Sequence, residues 1–181
     1  MKKLTLLTVC IVLALVLVGC ASTKTAGSAT AEDWWNNPPT DTEDYHYEVG
    51  TAKGSTVQTS RDWAKANANT ALAQYVNNQI EAIVTTYTND AGELATSNTQ
   101  ALAAFESVSK QSAQATLKGV TYKYATLDDG TTYVLAALPL KNLAEDINKG
   151  VEEFVKNSAS EEANAMMNSA IKKYYPGSNA Q

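Results

Sequence analysis

The chain has 181 residues, of which 14 are basic and 19 acidic, and its formal net charge is −5 at neutral pH. This acidic balance is unfavourable for contact with a phosphate backbone, so nucleic acid is not an expected partner. Two cysteines and one histidine leave few side chains for a zinc site or for redox chemistry.

The first twenty residues have the composition of a bacterial export signal. Lys2 and Lys3 precede an apolar run over residues 4–18, which is shorter than the ~20 residues of a membrane-spanning helix. The run ends with an aliphatic residue, a tolerant position, a small residue and a cysteine, which are Leu17, Val18, Gly19 and Cys20. This pattern resembles the lipobox of bacterial lipoproteins.

The lipobox resemblance implies that residues 1–19 are a signal peptide and that Cys20 is lipidated. The thiol would carry S-diacylglycerol and the freed amine an N-acyl chain, which together attach a protein stably to a membrane. The alternative is an ordinary secretory signal, or an uncleaved anchor, with an incidental cysteine. By resemblance to the enterobacterial sorting rule, Ala21 after the cysteine favours the outer membrane.

Cleavage before Cys20 would change the composition of the mature chain. Residues 20–181 contain 12 basic and 19 acidic residues, a net charge near −7, and a single cysteine that excludes an internal disulfide. Residues 20–33 hold the lipidated cysteine and a stretch without large apolar side chains, which predicts a flexible tether with a span of roughly 20 Å. The remaining residues suit one domain.

The domain is predicted to begin with an extended segment and a strand. Trp34 and Trp35 precede two prolines that favour extended backbone, Pro38 and Pro39. Apolar and polar residues then alternate, which predicts a strand whose apolar face is Tyr45, Tyr47 and Val49 and whose other face is His46, Glu48 and Gly50.

Two helices are predicted next. Ser55 and Gln58 have the spacing of a capping box at the start of a long helix. Apolar residues recur at three- and four-residue steps from Ala64 to Tyr87, which predicts a buried stripe on that helix. The sequence TNDAG, residues 88–92, ends it, and a second helix is predicted over residues 94–115.

A β-hairpin and C-terminal helices are predicted for the rest of the chain. Two runs rich in Val, Thr and Tyr flank Asp128-Asp129-Gly130, in which Asp-Gly favours a tight turn with positive φ. Two apolar stripes follow, and Ser158 with Glu161 offers a capping box between them. The two stripes belong either to two helices or to one continuous helix.

Four segments in this order resemble the LPP-twenty family of bacterial lipoproteins: DWWNNPP, YHYEVGTA, SRDWAKANANTALAQYV and LKGVTYKYATLDDGTTYVLAALPL. The resemblance covers residues 34–140 and implies an α+β domain in which about three antiparallel strands pack on a long helix. Residues 141–181 match only as a helical extension. The family includes outer-membrane lipoproteins of flagellated bacteria, some of which build rings around the flagellar motor, and it implies no catalytic residues.

Nothing in the sequence indicates an active site. His46 is the only histidine and the only cysteine of the mature chain would be acylated, so a zinc site lacks ligands, and no Gly-x-Ser-x-Gly or Gly-Lys-Ser/Thr motif is present. A carboxylate cluster lacks the spacing of a calcium loop and is interpreted as a solvated rim: Glu32, Asp33, Asp41, Glu43, Asp44 and Glu48. We therefore predict no enzymatic activity, no metal and no cofactor beyond the covalent lipid.

Two apolar groups are candidates for partner binding. Trp34 and Trp35, with Tyr45 and Tyr47, are either a clasp that closes the first strand onto the domain or an anchor for a partner. The C-terminal stripe is either core or an oligomer seam, and its residues are Phe154, Val155, Met166, Met167 and Ile171. The partner-binding candidates are thus Trp34, Trp35, Met167 and Ile171.

The function predicted from these features is that of a membrane-anchored envelope lipoprotein with a non-enzymatic structural or interaction role, such as a component of a surface or flagellar-associated assembly. Its partners would be the membrane, through the lipid, and envelope proteins or copies of itself. The alternative is a lipoprotein that binds a small ligand or a cell-wall fragment, which requires a pocket of several hundred Å³ with convergent polar groups.

Overall fold

The computed structural model describes residues 31–176, so the predicted signal peptide, Cys20 and most of the tether lie outside the described part. The α+β prediction is confirmed: the described residues form helices and one three-stranded antiparallel sheet. In chain order the elements are α1 (Ala31–Asn36), β1 (Tyr45–Ala52), α2 (Val57–Ala91), α3 (Glu93–Ser97), α4 (Thr99–Thr116), a 3₁₀ turn (Leu117–Gly119), β2 (Thr121–Thr126), β3 (Thr132–Pro139), α5 (Leu140–Asn157) and α6 (Glu161–Tyr174).

The predicted hairpin is confirmed and supplies the centre of the sheet. The strand order is β1-β3-β2, and the connection between β2 and β3 is closed by the Leu127 N–H, which donates to the Thr131 carbonyl at 2.8 Å. Gly130 has a φ of +86°, as the Asp-Gly pair predicts. The hairpin therefore places β3 between its partner β2 and the earlier strand β1.

The predicted orientation of β1 is wrong, because His46 and Gly50 face α2 and are buried, whereas Tyr45 and Tyr47 point away from it. A Cβ on Gly50 would lie 2.1 Å from the Ala64 carbonyl oxygen and 2.5 Å from the Ala68 nitrogen. The small side chains of α2 let the helix approach so closely that only glycine fits there. Side-chain size, rather than apolarity, therefore decides which face of β1 is buried.

The long helix α2 confirms the predicted stripe, since the buried residues between Ser60 and Ala91 recur at helical spacing. Its N-cap differs from the prediction by one residue. The hydroxyl of Thr56, rather than of Ser55, accepts the Thr59 N–H at 3.1 Å. Gly92, at φ +53°, ends the helix.

The second predicted helix is divided at Asn98. The Asn98 amide donates to the Leu94 carbonyl at 2.8 Å, and its side-chain oxygen accepts the Ala159 N–H at 2.8 Å. Ala159 lies between α5 and α6, which are two helices and not one. The cap of α6 is Ser160, whose hydroxyl accepts the Ala163 N–H at 3.2 Å, so the predicted capping box at Ser158 is wrong.

One buried core joins α2, the inner face of the sheet and helices α4, α5 and α6. Met167 and Ile171 are fully buried in it, and so is Phe154, whose ring packs edge-on against Tyr87 at 5.2 Å. The hypothesis that Met167 and Ile171 form an exposed seam is therefore wrong. The described part of the predicted extension, residues 141–176, shares the core of residues 34–140 and is not a separate unit.

Candidate functional site

An open groove of about 650 Å³ lies between the middle of α2, the start of α5 and the end of α6. We call it the tyrosine groove. Residues from four separate parts of the chain line it: Glu43, Asp44, Tyr75, Gln79, Leu140, Lys141, Ala144, Tyr174, Tyr175 and Pro176.

The ring of Tyr75 is held in place by stacking on the ring of His46. The two rings stack at 3.5 Å with an interplanar angle of 9°. The imidazole is fixed in turn, because its Nδ1 lies 2.7 Å from Asp41 Oδ2 and its Nε2 lies 3.1 Å from Glu48 Oε1. The single histidine thus positions one wall of the groove.

Burial affects two of the phenols beside the groove, those of Tyr75 and Tyr175. Burial raises the pKa of Tyr75, with a further contribution from the charge of Asp41. Burial also raises the pKa of Tyr175, with a smaller effect of Tyr75. Both side chains therefore keep their protons, since the charged phenolate is disfavoured in these surroundings.

Charged groups lie at the rim beside α5. The Leu140 N–H donates to the Asp44 carbonyl at 2.9 Å, which ties the loop before β1 to the start of that helix. The Lys141 ammonium lies 4.0 Å from a Glu145 carboxylate and is largely exposed. Within the described part, the side chains of Glu43 and Asp44 are exposed and their carboxylates have no hydrogen-bond or ion-pair partner, so they are available to a ligand.

The predicted tryptophan pair lies away from this groove. Both residues are in α1, which begins at Ala31 and therefore includes the last residues of the predicted tether. Trp34 is partly buried, and the Trp35 ring lies 6.4 Å from Tyr133 of β3. The clasp interpretation is consistent with this packing, although Trp35 remains 55% exposed.

The groove was not predicted from the sequence, although the tyrosines that line it lie in or directly after predicted helices. Tyr75 lies in the predicted stripe of α2, and Tyr174 and Tyr175 end the last helix. Their convergence depends on how α6 packs along α2, which no local pattern specifies. Of the predicted site residues, Cys20 lies outside the described part, and Met167 and Ile171 lie in the core.

Over residues 31–176 no group of three or more His, Cys, Asp or Glu side chains is arranged to hold a metal ion. In the same range, no helix combines the length and apolar character needed to cross a membrane. Comparison of the chain with protein-family models, with curated proteins and with solved structures found no significant match.

Proposed function

We propose that this protein is a lipoprotein of the bacterial envelope, anchored through Cys20 in the outer membrane, and that its domain has a non-enzymatic structural or interaction role. The observation that supports this proposal is the order of the first twenty residues: two lysines, a short apolar run and Leu17-Val18-Gly19-Cys20. The likeness of residues 34–140 to LPP-twenty lipoproteins supports a role in assembly with envelope proteins or with copies of the same chain.

The test of the anchor is Cys20→Ala, with Cys10→Ala as the matched control inside the same apolar run. We expect Cys20→Ala to abolish lipidation and processing by the lipoprotein peptidase, because the thiol is the acceptor of the diacylglycerol. The intact mass and the membrane fraction of each protein give the result. The proposal would be contradicted if Cys20→Ala were processed and had the same mass as the parent apart from the substitution, or if Cys10→Ala lost its lipid to the same extent.

A second candidate function is binding of a small ligand, and the tyrosine groove favours it. Its volume of about 650 Å³ meets the requirement stated from the sequence. Neutral phenols and unpaired carboxylates suit a ligand rich in hydroxyl and amide groups whose apolar faces can stack on tyrosine. A fragment of the cell wall has this chemistry.

Titration of the protein with a purified muropeptide, followed by NMR, tests the second candidate. Tyr75→Phe removes the hydroxyl but keeps the ring on His46, so we expect weaker binding without a loss of fold. Tyr124→Phe is the control, because this tyrosine is exposed on β2 outside the groove. Equal affinities for the two variants, or no binding by the parent, would exclude this role for the groove.

A further inference from the structure

The sheet has a second face, opposite α2, that we call the outer sheet face. Its strand positions alternate with those that contact α2, as Gly50 against Ala64 and the buried Leu138 show. The residues of the outer sheet face are Tyr45, Tyr47, Val49, Thr51, Thr121, Lys123, Ala125, Tyr133, Leu135, Ala137 and Pro139.

One part of the outer sheet face is covered by α1. The Trp35 ring approaches Tyr133, and a cleft of about 250 Å³ lies between the two tryptophans and the side of β1 that carries Tyr47 and Val49. Leu135 is only 7% exposed although it points away from the core. The N-terminal helix is therefore part of this face and not a separate arm.

The rest of the outer sheet face is open and aromatic. Tyr45 is exposed, and its ring lies 6.2 Å from that of Tyr47. A shallow cleft of about 160 Å³ runs from these rings to Lys123 on β2. Trp and Tyr are the side chains enriched where a bilayer meets water, because each has an apolar ring and a polar group.

The strand positions of the outer sheet face carry one positive charge, which can contact a lipid phosphate. Lys123 is the charged residue among the strand positions of the outer sheet face, and an ammonium is attracted to lipid phosphate. The carboxylate of β1, Glu48, lies on the opposite face, where it contacts His46. Glu48 nevertheless lines the cleft beside α1, and α1 itself carries Glu32 and Asp33, so Lys123 offers the favourable contact to phosphate.

The length of the tether keeps this face near the membrane. Residues 21–30 separate Cys20 from α1 and can reach at most about 35 Å when fully extended. A surface held so close has a high effective concentration at the bilayer, so weak contacts are sufficient for docking. The tether also enters the domain through α1, which is itself packed on the outer sheet face.

We propose that the outer sheet face, together with α1, docks on the headgroup region of the membrane that holds Cys20. This inference rests on the proposed lipidation of Cys20. Trp35 and Tyr45 enter the interface between headgroups and acyl chains, and Lys123 contacts a phosphate. The long helix α2, which packs on the other face of the sheet, then lies on the side of the sheet that is farther from the bilayer.

The chain provides a matched pair of fluorescent probes for this proposal. Trp35 of α1 and Trp63 of α2 are each 55% exposed, but only Trp35 lies on the outer sheet face. Full-length lipidated protein with Trp34→Phe and Trp63→Phe reports on Trp35, and protein with Trp34→Phe and Trp35→Phe reports on Trp63. Both are placed in phosphatidylethanolamine–phosphatidylglycerol vesicles with or without bromine on the acyl chains near the headgroups.

We expect brominated lipid to lower Trp35 emission by roughly two-fold, because the ring lies at the interface, and to leave Trp63 emission unchanged. Equal emission from Trp35 in both kinds of vesicle would overturn the proposal. Crosslinking between copies through Tyr45, with Trp35 unquenched, would also overturn it and make the face a self-interface. The mass of the same samples separates docking of the outer sheet face from lipidation of Cys20. A lipidated protein with unquenched Trp35 contradicts docking alone, whereas a protein without lipid contradicts the lipid anchor as well.

Discussion

Gly50 determines how closely the long helix packs against β1. It lies against the Ala64 carbonyl and Ala68, where a Cβ would overlap the helix backbone at 2.1 and 2.5 Å. A backbone carbonyl cannot move aside as the end of a side chain can. His46 lies four residues before Gly50 on the same face of β1. The close approach of α2 therefore also buries His46 and positions the ring on which Tyr75 stacks.

We predict that Gly50→Ala destabilises the domain by about 3 kcal/mol, because the added methyl group forces β1 and α2 apart. Gly119→Ala is the control, since the nearest atom to its Cβ is the flexible amide end of Asn142 at 3.1 Å. We expect that change to stay within about 0.5 kcal/mol. Urea unfolding of the chain from residue 21 measures both, and similar midpoints for the two variants would show that the contact is unimportant.

Asp129 gives the hairpin a dependence on acid. Its carboxylate accepts the Thr131 N–H at 2.9 Å and the Lys53 ammonium at 3.0 Å, and these contacts, led by that N–H, lower its pKa from 3.8 to about 2. A carboxyl group with a lowered pKa in the folded state stabilises the fold above the unfolded pKa. This contribution is lost as the pH falls from about 4 to about 2.

Asp129→Asn should therefore lower stability at pH 7, and its difference from the parent should disappear by about pH 2. Asp128→Asn is the neighbouring control, because the Asp128 carboxylate has no hydrogen bond or ion pair within residues 31–176. Thermal unfolding of the three proteins between pH 7 and pH 2 gives the comparison. A constant difference across that range would contradict the assignment.

Single residues were predicted where local chemistry decides, and missed where a distant contact decides. Gly130 was correct because a hairpin turn needs positive φ at that position. His46 was assigned to the polar face because alternation suggests that tyrosine is the more apolar neighbour. Its burial depends on Tyr75, Asp41 and the closeness of α2, and β1 alone contains none of this information.

At the level of elements, periodicity was sufficient for the buried face of the long helix but not for the buried face of β1 or for the ends of the helices. The stripe of α2 is confirmed over many turns, because each additional apolar residue at helical spacing strengthens the same prediction. Both misplaced caps were chosen between nearby hydroxyls, Ser55 or Thr56 and Ser158 or Ser160. Serine and threonine have the same capping chemistry, so the path of the preceding loop decides between them.

The face of α6 can be tested with two substitutions to the same residue. Met167→Glu should destabilise the domain by at least about 3 kcal/mol, because a carboxylate would enter a packed apolar core. Ala165→Glu, on the exposed side of the same helix, should change stability by less than about 0.5 kcal/mol. Circular dichroism during thermal unfolding measures both.

A folded Met167→Glu protein with unchanged stability would contradict this assignment. If light scattering also showed that a parent oligomer had dispersed in that variant, the residue would belong to a seam after all.

For the whole molecule, the fold class followed from the order of elements, whereas the packing of residues 141–176 into the core of residues 34–140 did not. Antiparallel strands joined by a hairpin and a long amphipathic helix define an α+β domain. The tyrosine groove was beyond prediction, because Tyr75, Leu140 and Tyr175 are far apart in the chain and meet only through the packing of α5 and α6. The resemblance to a family also ended at the point where this packing begins.

We predict that a chain ending at Leu140 does not fold. It lacks five fully buried side chains of the core, each contributing roughly 1.5–3 kcal/mol, whereas a whole domain is stable by only about 5–15 kcal/mol: Leu143, Ile147, Phe154, Met167 and Ile171. A chain ending at Pro176 is the control and should unfold like the parent. Cooperative thermal unfolding of residues 21–140 would show that the shorter chain is a domain by itself.

The packing of α6 along α2 has a consequence for the export that we propose. The Tyr174 hydroxyl lies 3.0 Å from that of Thr86, and the Lys173 ammonium donates to Asp90 at 2.8 Å. The last helix therefore contacts the C-terminal part of α2. A chain that emerges from a translocation channel amino terminus first cannot close this core until its final residues are released. For a chain exported as we propose, the order of the elements therefore delays closure of the core until α6 has left the channel.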